Sequence, residues 1–242
     1  VSWLTDTAAL YARVFRKGAA LTAANWPLAF LVVCYPLALT YLRLLLGPLG
    51  IVGGLLWTTA LAACVSSWLH FMEQVVRGTG RAHLADLPTS FATYLGDVIN
   101  VLFLFFVLQL VMSLLLPPGS LVGIVLGLAM VVFFNAVLEL IYLGRYSGPE
   151  LLVASYRFIG TNWIEWFPAT IALVVVALAV DVGISSLAGP EAGASAQRLA
   201  QTVASVAVGL VLAYASIVRG LLYLELATSS RRAREFQRRA QG

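Results

Sequence analysis

The sequence predicts an all-α polytopic membrane protein, with six transmembrane helices in three hairpins and amphipathic helices at the cytoplasmic surface. Three observations carry that prediction. Of 242 residues, 61% are hydrophobic and 11% charged, against about 45–50% apolar and about 25% charged in a soluble domain. Mean hydropathy is +0.92. The apolar residues gather into runs near or above the roughly 20 residues that cross a bilayer as a helix, and the basic residues collect between alternate runs.

The runs cover residues 24–46, 50–76, 95–116, 119–143, 166–187 and 200–227. Barrel strands would be roughly 10 residues with in–out alternation, and these runs are longer and do not alternate. Pro36 falls inside the first, where neighbouring helices can satisfy the freed carbonyl. The chain reads as one integral membrane domain. Residues 1–23 form an N-terminal interfacial segment, 24–227 the six-helix bundle and 228–242 a basic cytoplasmic tail. Arg13, Arg16 and Lys17 interrupt the first 23 residues, so a cleaved signal peptide is not expected there.

Orientation follows from Lys and Arg. Twelve of the 15 lie before the first run, between runs two and three, between runs four and five, or after run six. Only Arg43 and Arg198 flank the other connections, and Arg219 lies within the last run. The bias puts both termini in the cytoplasm. A net charge of +4 spread this way points to the anionic cytoplasmic leaflet as partner and not to nucleic acid.

The connections have a rhythm. Outside turns such as "GPLG" and "PPGS" are short and suit tight hairpins, whereas inside connections mix aromatic, basic and acidic residues. Asn25-Trp26-Pro27 opens the first run and Asn162-Trp163 precedes the fifth; the middle unit has Tyr94, Asp97 and Asn100 instead. Two readings stand: a degenerate threefold repeat, or three hairpins obeying the same membrane rules. "GPELLVASYRFIGTNWIEWFP" is the richest connection. Pro149 and Glu150 suit a helix start, and Tyr and Trp favour the headgroup level. Residues 149–162 are therefore expected to form an interfacial helix, with weaker counterparts near 84–94 and 7–20. Glu150, Arg157, Asn162, Trp163 and Trp166 are its candidate anchoring or docking residues, the two tryptophans anchoring the turn into the fifth span.

The run "VVRGTGRAHLADLPTSFATYLGDVINVLFLFF" resembles an uncharacterised prokaryotic multi-pass membrane family, and "GPELLVASYRFIGTNWIEWF" resembles the element before the fifth span in YciC-like inner-membrane proteins. The latter is also similar to the membrane region attached to some glycerophosphodiester phosphodiesterases. The resemblance implies a six-helix domain of the bacterial cytoplasmic (inner) membrane and supplies no catalytic residues. The phosphodiesterase domain has no counterpart in this sequence, so that activity does not carry over.

Charges inside spans are costly and are functional candidates by default. Glu73, Glu139, Arg219 and Glu225 are those candidates, and Arg219 is expected to point into the bundle and pair with Glu139 or Glu73. His70 and Glu73 lie one turn apart, but a di-iron bundle needs more ligands on facing helices. No metal, cofactor or catalytic site is expected, and no GxSxG, Walker A, Rossmann or HExxH pattern occurs. Cys34 and Cys64 read as small packing residues, and Ser66-Ser67 and the Gly123/Gly127 pair as close helix contacts. The function expected is a non-catalytic membrane subunit or scaffold with other protein subunits as partners. The alternative is a permease-like subunit depending on a separate ATPase.

Overall fold

The structure, a computed structural model, describes residues 2–117, 119–187 and 193–228. The basic tail from residue 229 lies outside the described residues, as do residues 188–192 of the 188–196 segment expected to face out. Among the described residues every regular element is helical: α1 (Ser2–Ala24), α2 (Leu28–Leu46), α3 (Gly50–Val76), α4 (Leu87–Thr93), α5 (Leu95–Leu115), α6 (Leu121–Phe133), the short α7 (Val137–Glu139), α8 (Gly148–Leu187) and α9 (Ala194–Thr228). Five stretches are long and apolar enough to cross a membrane: Leu28–Val76, Leu95–Leu115, Leu121–Gly144, Gly148–Ile184 and Gln197–Thr228. Apolar side chains such as Ile51, Leu114 and Leu121 are more than three-quarters exposed, an arrangement that suits lipid and not water. This is a multi-pass membrane protein.

The first stretch, of 49 residues, is divided by a 3₁₀ turn at Gly47–Leu49, after which Gly50 has φ +57°. Positive φ is a conformation that glycine adopts without a Cβ penalty. The Trp57 indole donates to the Leu39 carbonyl across this turn at 3.1 Å. In one straight helix, 18 residues would hold those groups about 27 Å apart, so the chain reverses here.

Two expected spans differ from their reading. The run at 119–143 is not one helix: α6 stops at Phe133, residues 134–136 form a turn, and α7 leads into a π-helical turn at Leu140–Gly144. The ladder slips at the break, with Asn135 and Val137 bonding back three residues before Leu140 resumes a four-residue step. The freed Phe133 carbonyl accepts from Ser155 Oγ at 2.8 Å, which compensates a group that hydrocarbon cannot solvate. The second difference is α8. The turn expected at Trp163–Trp166 does not form, and one helix of 40 residues runs from Gly148 to Leu187. No proline interrupts its backbone ladder between Pro149 and Pro168. At 1.5 Å per residue it is about 60 Å long, twice the hydrocarbon thickness.

The chain divides into two compact units, with α3, α8 and α9 contributing residues to both. The first holds residues 1–57, 74–82 and 164–222. In it α1 buries Leu10, Val14 and Gly18, a stripe at four-residue spacing on one helix face. A Cβ on Gly18 would lie 2.6 Å from Val218 Cγ2, so only glycine lets α1 come this close to α9. Tyr214 of α9 donates to the Phe15 carbonyl at 3.3 Å. The apolar face expected to rest on the membrane at 7–20 is thus largely spent on protein.

The second unit holds residues 58–73, 83–163 and 223–242. The Phe105 and Phe134 rings, 5.6 Å apart, join α5 to the end of α6. Phe158 of α8 meets Tyr223 of α9 at 4.9 Å. The segment expected at 84–94 is a 3₁₀ turn, Leu84–Asp86, followed by α4.

Candidate functional site

Polar side chains that break the apolar pattern are the natural candidates for chemistry, and in the first unit several are used as ties. Asn25 is buried between α1 and α2. Its Nδ2 donates to the Leu21 carbonyl at 2.7 Å and the Gly80 carbonyl at 2.8 Å, while Oδ1 accepts from the Ala82 amide at 2.8 Å. Two donors and an acceptor of one amide are all engaged, and the connection after α3 is fastened to the chain 55 residues earlier. Tyr11 donates its hydroxyl to the Glu165 main-chain carbonyl at 2.6 Å. Burial and the nearby Glu165 carboxylate push the Tyr11 hydroxyl from 10.0 up to about 12, because both disfavour a phenolate. The Arg219 guanidinium lies 4.9 Å over the ring of Trp166, a cation–π contact that sequence spacing does not reveal.

The second unit repeats the theme with hydroxyls. Ser66 Oγ donates to the Ser90 carbonyl at 3.1 Å and accepts from the Tyr94 amide at 2.8 Å. Ser67 and Ser90 share a hydrogen bond of 2.6 Å. These serines are buried and hold α4 to α3. Their expected role as small contact residues is corrected to that of hydrogen-bonding ties. Tyr94 donates to Glu73 Oε2, and Thr93 meets His70 Nδ1 at 3.3 Å, so His70 and Glu73 both face the α4 segment.

Glu139 is buried just beyond the break after α6, and Glu225 is half-buried in the last turn of α9. The contact of Arg219 with Trp166 was not expected, nor was the burial of Glu165. Trp166 is fully buried and Trp163 is 56% exposed. Trp166 has no ring surface left for headgroups, so it does not take the anchoring role expected of it, whereas the Trp163 ring is exposed. Asn162 is 5% exposed; its Nδ2 donates to the Phe158 carbonyl at 3.0 Å, and its Oδ1 has no hydrogen bond among the described residues. Cys34 is exposed on α2, not packed, and Cys64 is half-buried.

Glu150 and Arg157 are brought together. Both are exposed, and both line a cleft of about 570 Å³ walled by Val153 and Phe158 of α8 and by Tyr146 and Tyr223. Seven residues apart, they lie two turns along one helix face, about 10 Å in axial distance. A Cβ on Gly144 would meet the Tyr146 ring at 2.7 Å and the Tyr223 hydroxyl at 3.0 Å, so glycine there lets both tyrosines close the wall. Neither Glu150 nor Arg157 has a hydrogen-bonding or ionic side-chain partner among the described residues.

No protein-family model, curated protein or solved structure gives a significant match to this chain.

Proposed function

We propose that the protein is a non-catalytic integral membrane subunit, a scaffold of a bacterial inner-membrane complex. The carrying observation is the use made of its polar groups. Asn25, Ser66, Ser67, Ser90, Tyr94 and Tyr11 spend their hydrogen bonds on tying helices and connections together. Groups spent in this way are not available to a substrate.

In this reading six spans form three hairpins with both termini in the cytoplasm. The reversal between α2 and α3, the Phe105–Phe134 contact between α5 and α6, and the Arg219–Trp166 contact between α8 and α9 support the pairing of successive spans. α1, α4 and the first four turns of α8 lie at the cytoplasmic interface. Partner subunits dock on the exposed basic face of α1 that carries Arg16 and Lys17, and on the tail.

The test is purification of the full chain in a gentle detergent with mass spectrometry of the chains that accompany it. A stoichiometric complex lost on Arg16→Glu with Lys17→Glu, while the thermal melt holds, is the expected result. Co-purification of an ATPase would replace the scaffold with an ATPase-dependent permease subunit. A chain that purifies alone would end both readings.

A further inference from the structure

We infer that the cleft at the start of α8 is a binding site for a zwitterionic aminophospholipid headgroup. Glu150 and Arg157 would hold its two charges. The inference takes from the proposed topology that these turns lie at headgroup depth.

The cleft has the chemistry of that ligand. Its walls are apolar, from Val153, Phe158 and the rings of Tyr146 and Tyr223, and two opposite charges stand at its edge. A guanidinium presents planar paired donors to a phosphate, and a carboxylate accepts from a primary ammonium. An anionic headgroup would satisfy Arg157 and leave Glu150 repelling it. A quaternary ammonium would offer Glu150 no N–H. A headgroup carrying both a phosphate and a primary amine satisfies both. The volume of about 570 Å³ falls within the roughly 300–1,000 Å³ of small-ligand sites, enough for a headgroup and its glycerol. Tyr146, 42% exposed, presents the amphipathic ring that suits this depth. The two charges expected to dock a protein are then occupied by the lipid that surrounds the chain.

The experiment titrates the full chain in detergent with phosphatidylethanolamine, phosphatidylglycerol or phosphatidylcholine and reads bound lipid by native mass spectrometry. Phosphatidylethanolamine should bind about tenfold more tightly than the other two. Glu150→Gln and Arg157→Gln should each weaken it about tenfold, the equivalent of about 1.4 kcal/mol. Ala154→Trp, which fills the cleft, should abolish the preference. Because Glu150 and Arg157 are exposed, thermal melts should not move, and a variant that did unfold would leave Ala154→Trp to decide. Equal binding of phosphatidylethanolamine by wild type and both charge variants would overturn the proposal, as would a wild-type preference for phosphatidylglycerol. Removing residues 229–242 should change nothing. Binding that emerges only after that removal would mean the chain's own tail fills the cleft, and the lipid site would be abandoned. The titration is independent of topology, which cysteine labelling at Val153 from either face reads separately.

Discussion

Asn25 and Asn162 begin alike and end differently. Each is 5% exposed, each donates to the carbonyl four residues back, and each precedes a tryptophan that is 55% or 56% exposed. After Asn25 the helix stops, and the chain turns through Trp26 and Pro27 into α2. After Asn162 the helix continues for a further 25 residues to Leu187. Two things differ. Pro27 has no counterpart at Ile164, and proline both lacks an N–H and crowds the preceding turn. Asn25 also has a partner segment, Gly80–Ala82, that takes its remaining donor and its acceptor. A polar residue at a span boundary is thus not a turn signal by itself. It becomes one when proline removes the ladder bond and another segment supplies the replacement.

The comparison can be broken most forcefully by writing one region into the other. Ile164→Pro recreates Asn-Trp-Pro within α8, removes a helix bond and adds a ring clash, and should cost about 3 kcal/mol or more. A melt in detergent within a degree of wild type would show that α8 already tolerates a break there.

Next in size is Asn25→Leu. It strands the Ala82 amide and the Gly80 carbonyl; a stranded buried group costs about 1–3 kcal/mol, and because Gly80 and Ala82 are half-buried about 2 kcal/mol in all is expected. Hydrogen exchange at Ala82 should rise sharply. An unchanged exchange rate would mean that other groups hold the connection.

A smaller effect sharpens the contrast from the α8 side, where Tyr11 ties α1 to the carbonyl three residues past Asn162. Tyr11→Phe should lose about 1 kcal/mol at neutral pH. Its pH dependence has a definite sign. The folded-state value is raised above that of the free phenol, so the contribution is complete below pH 10.0 and is lost as pH rises through about 12. Wild type should therefore lose stability over that window more steeply than Tyr11→Phe. Parallel curves would remove Tyr11 as the group responsible.

Smallest of the four is Asn162→Leu. Only one side-chain hydrogen bond is lost and a buried, unbonded Oδ1 goes with it, so the change should lie within about 1 kcal/mol of neutral. A loss as large as that of Asn25→Leu would mean that Asn162 has a partner of comparable weight.

Much of the architecture was legible in residue type alone. Runs such as 95–116 could only be membrane helices because their length and apolarity leave no aqueous alternative, and α5 fills that run to within a residue. The break after Phe133 was not legible. Its one sequence mark is Asn135, and the hydroxyl that makes the break affordable, Ser155, lies 22 residues on. Ser66 and Ser67 looked like packing residues because small side chains serve both packing and hydrogen bonding, and only the position of Ser90 separates the two uses. Glu150 and Arg157 were legible as candidates because they are charges in an aromatic-rich connection, Glu150 at its helix start. That they share a cleft depended on Tyr146 and Tyr223, the second of which is 66 residues from Arg157.

What the sequence determined by itself was the solvent: hydrocarbon favours helices, because backbone donors and acceptors must be satisfied within the protein and a helix satisfies them within one segment, and long apolar runs encode that locally. What only the tertiary structure decided was where helices end and what their polar residues do. Those choices rest on hydrogen bonds between groups 55 residues apart, as at Asn25 and Gly80, or 154 apart, as at Tyr11 and Glu165. Such a bond is fixed by the three-dimensional meeting of two segments, and neither segment alone carries a mark of it.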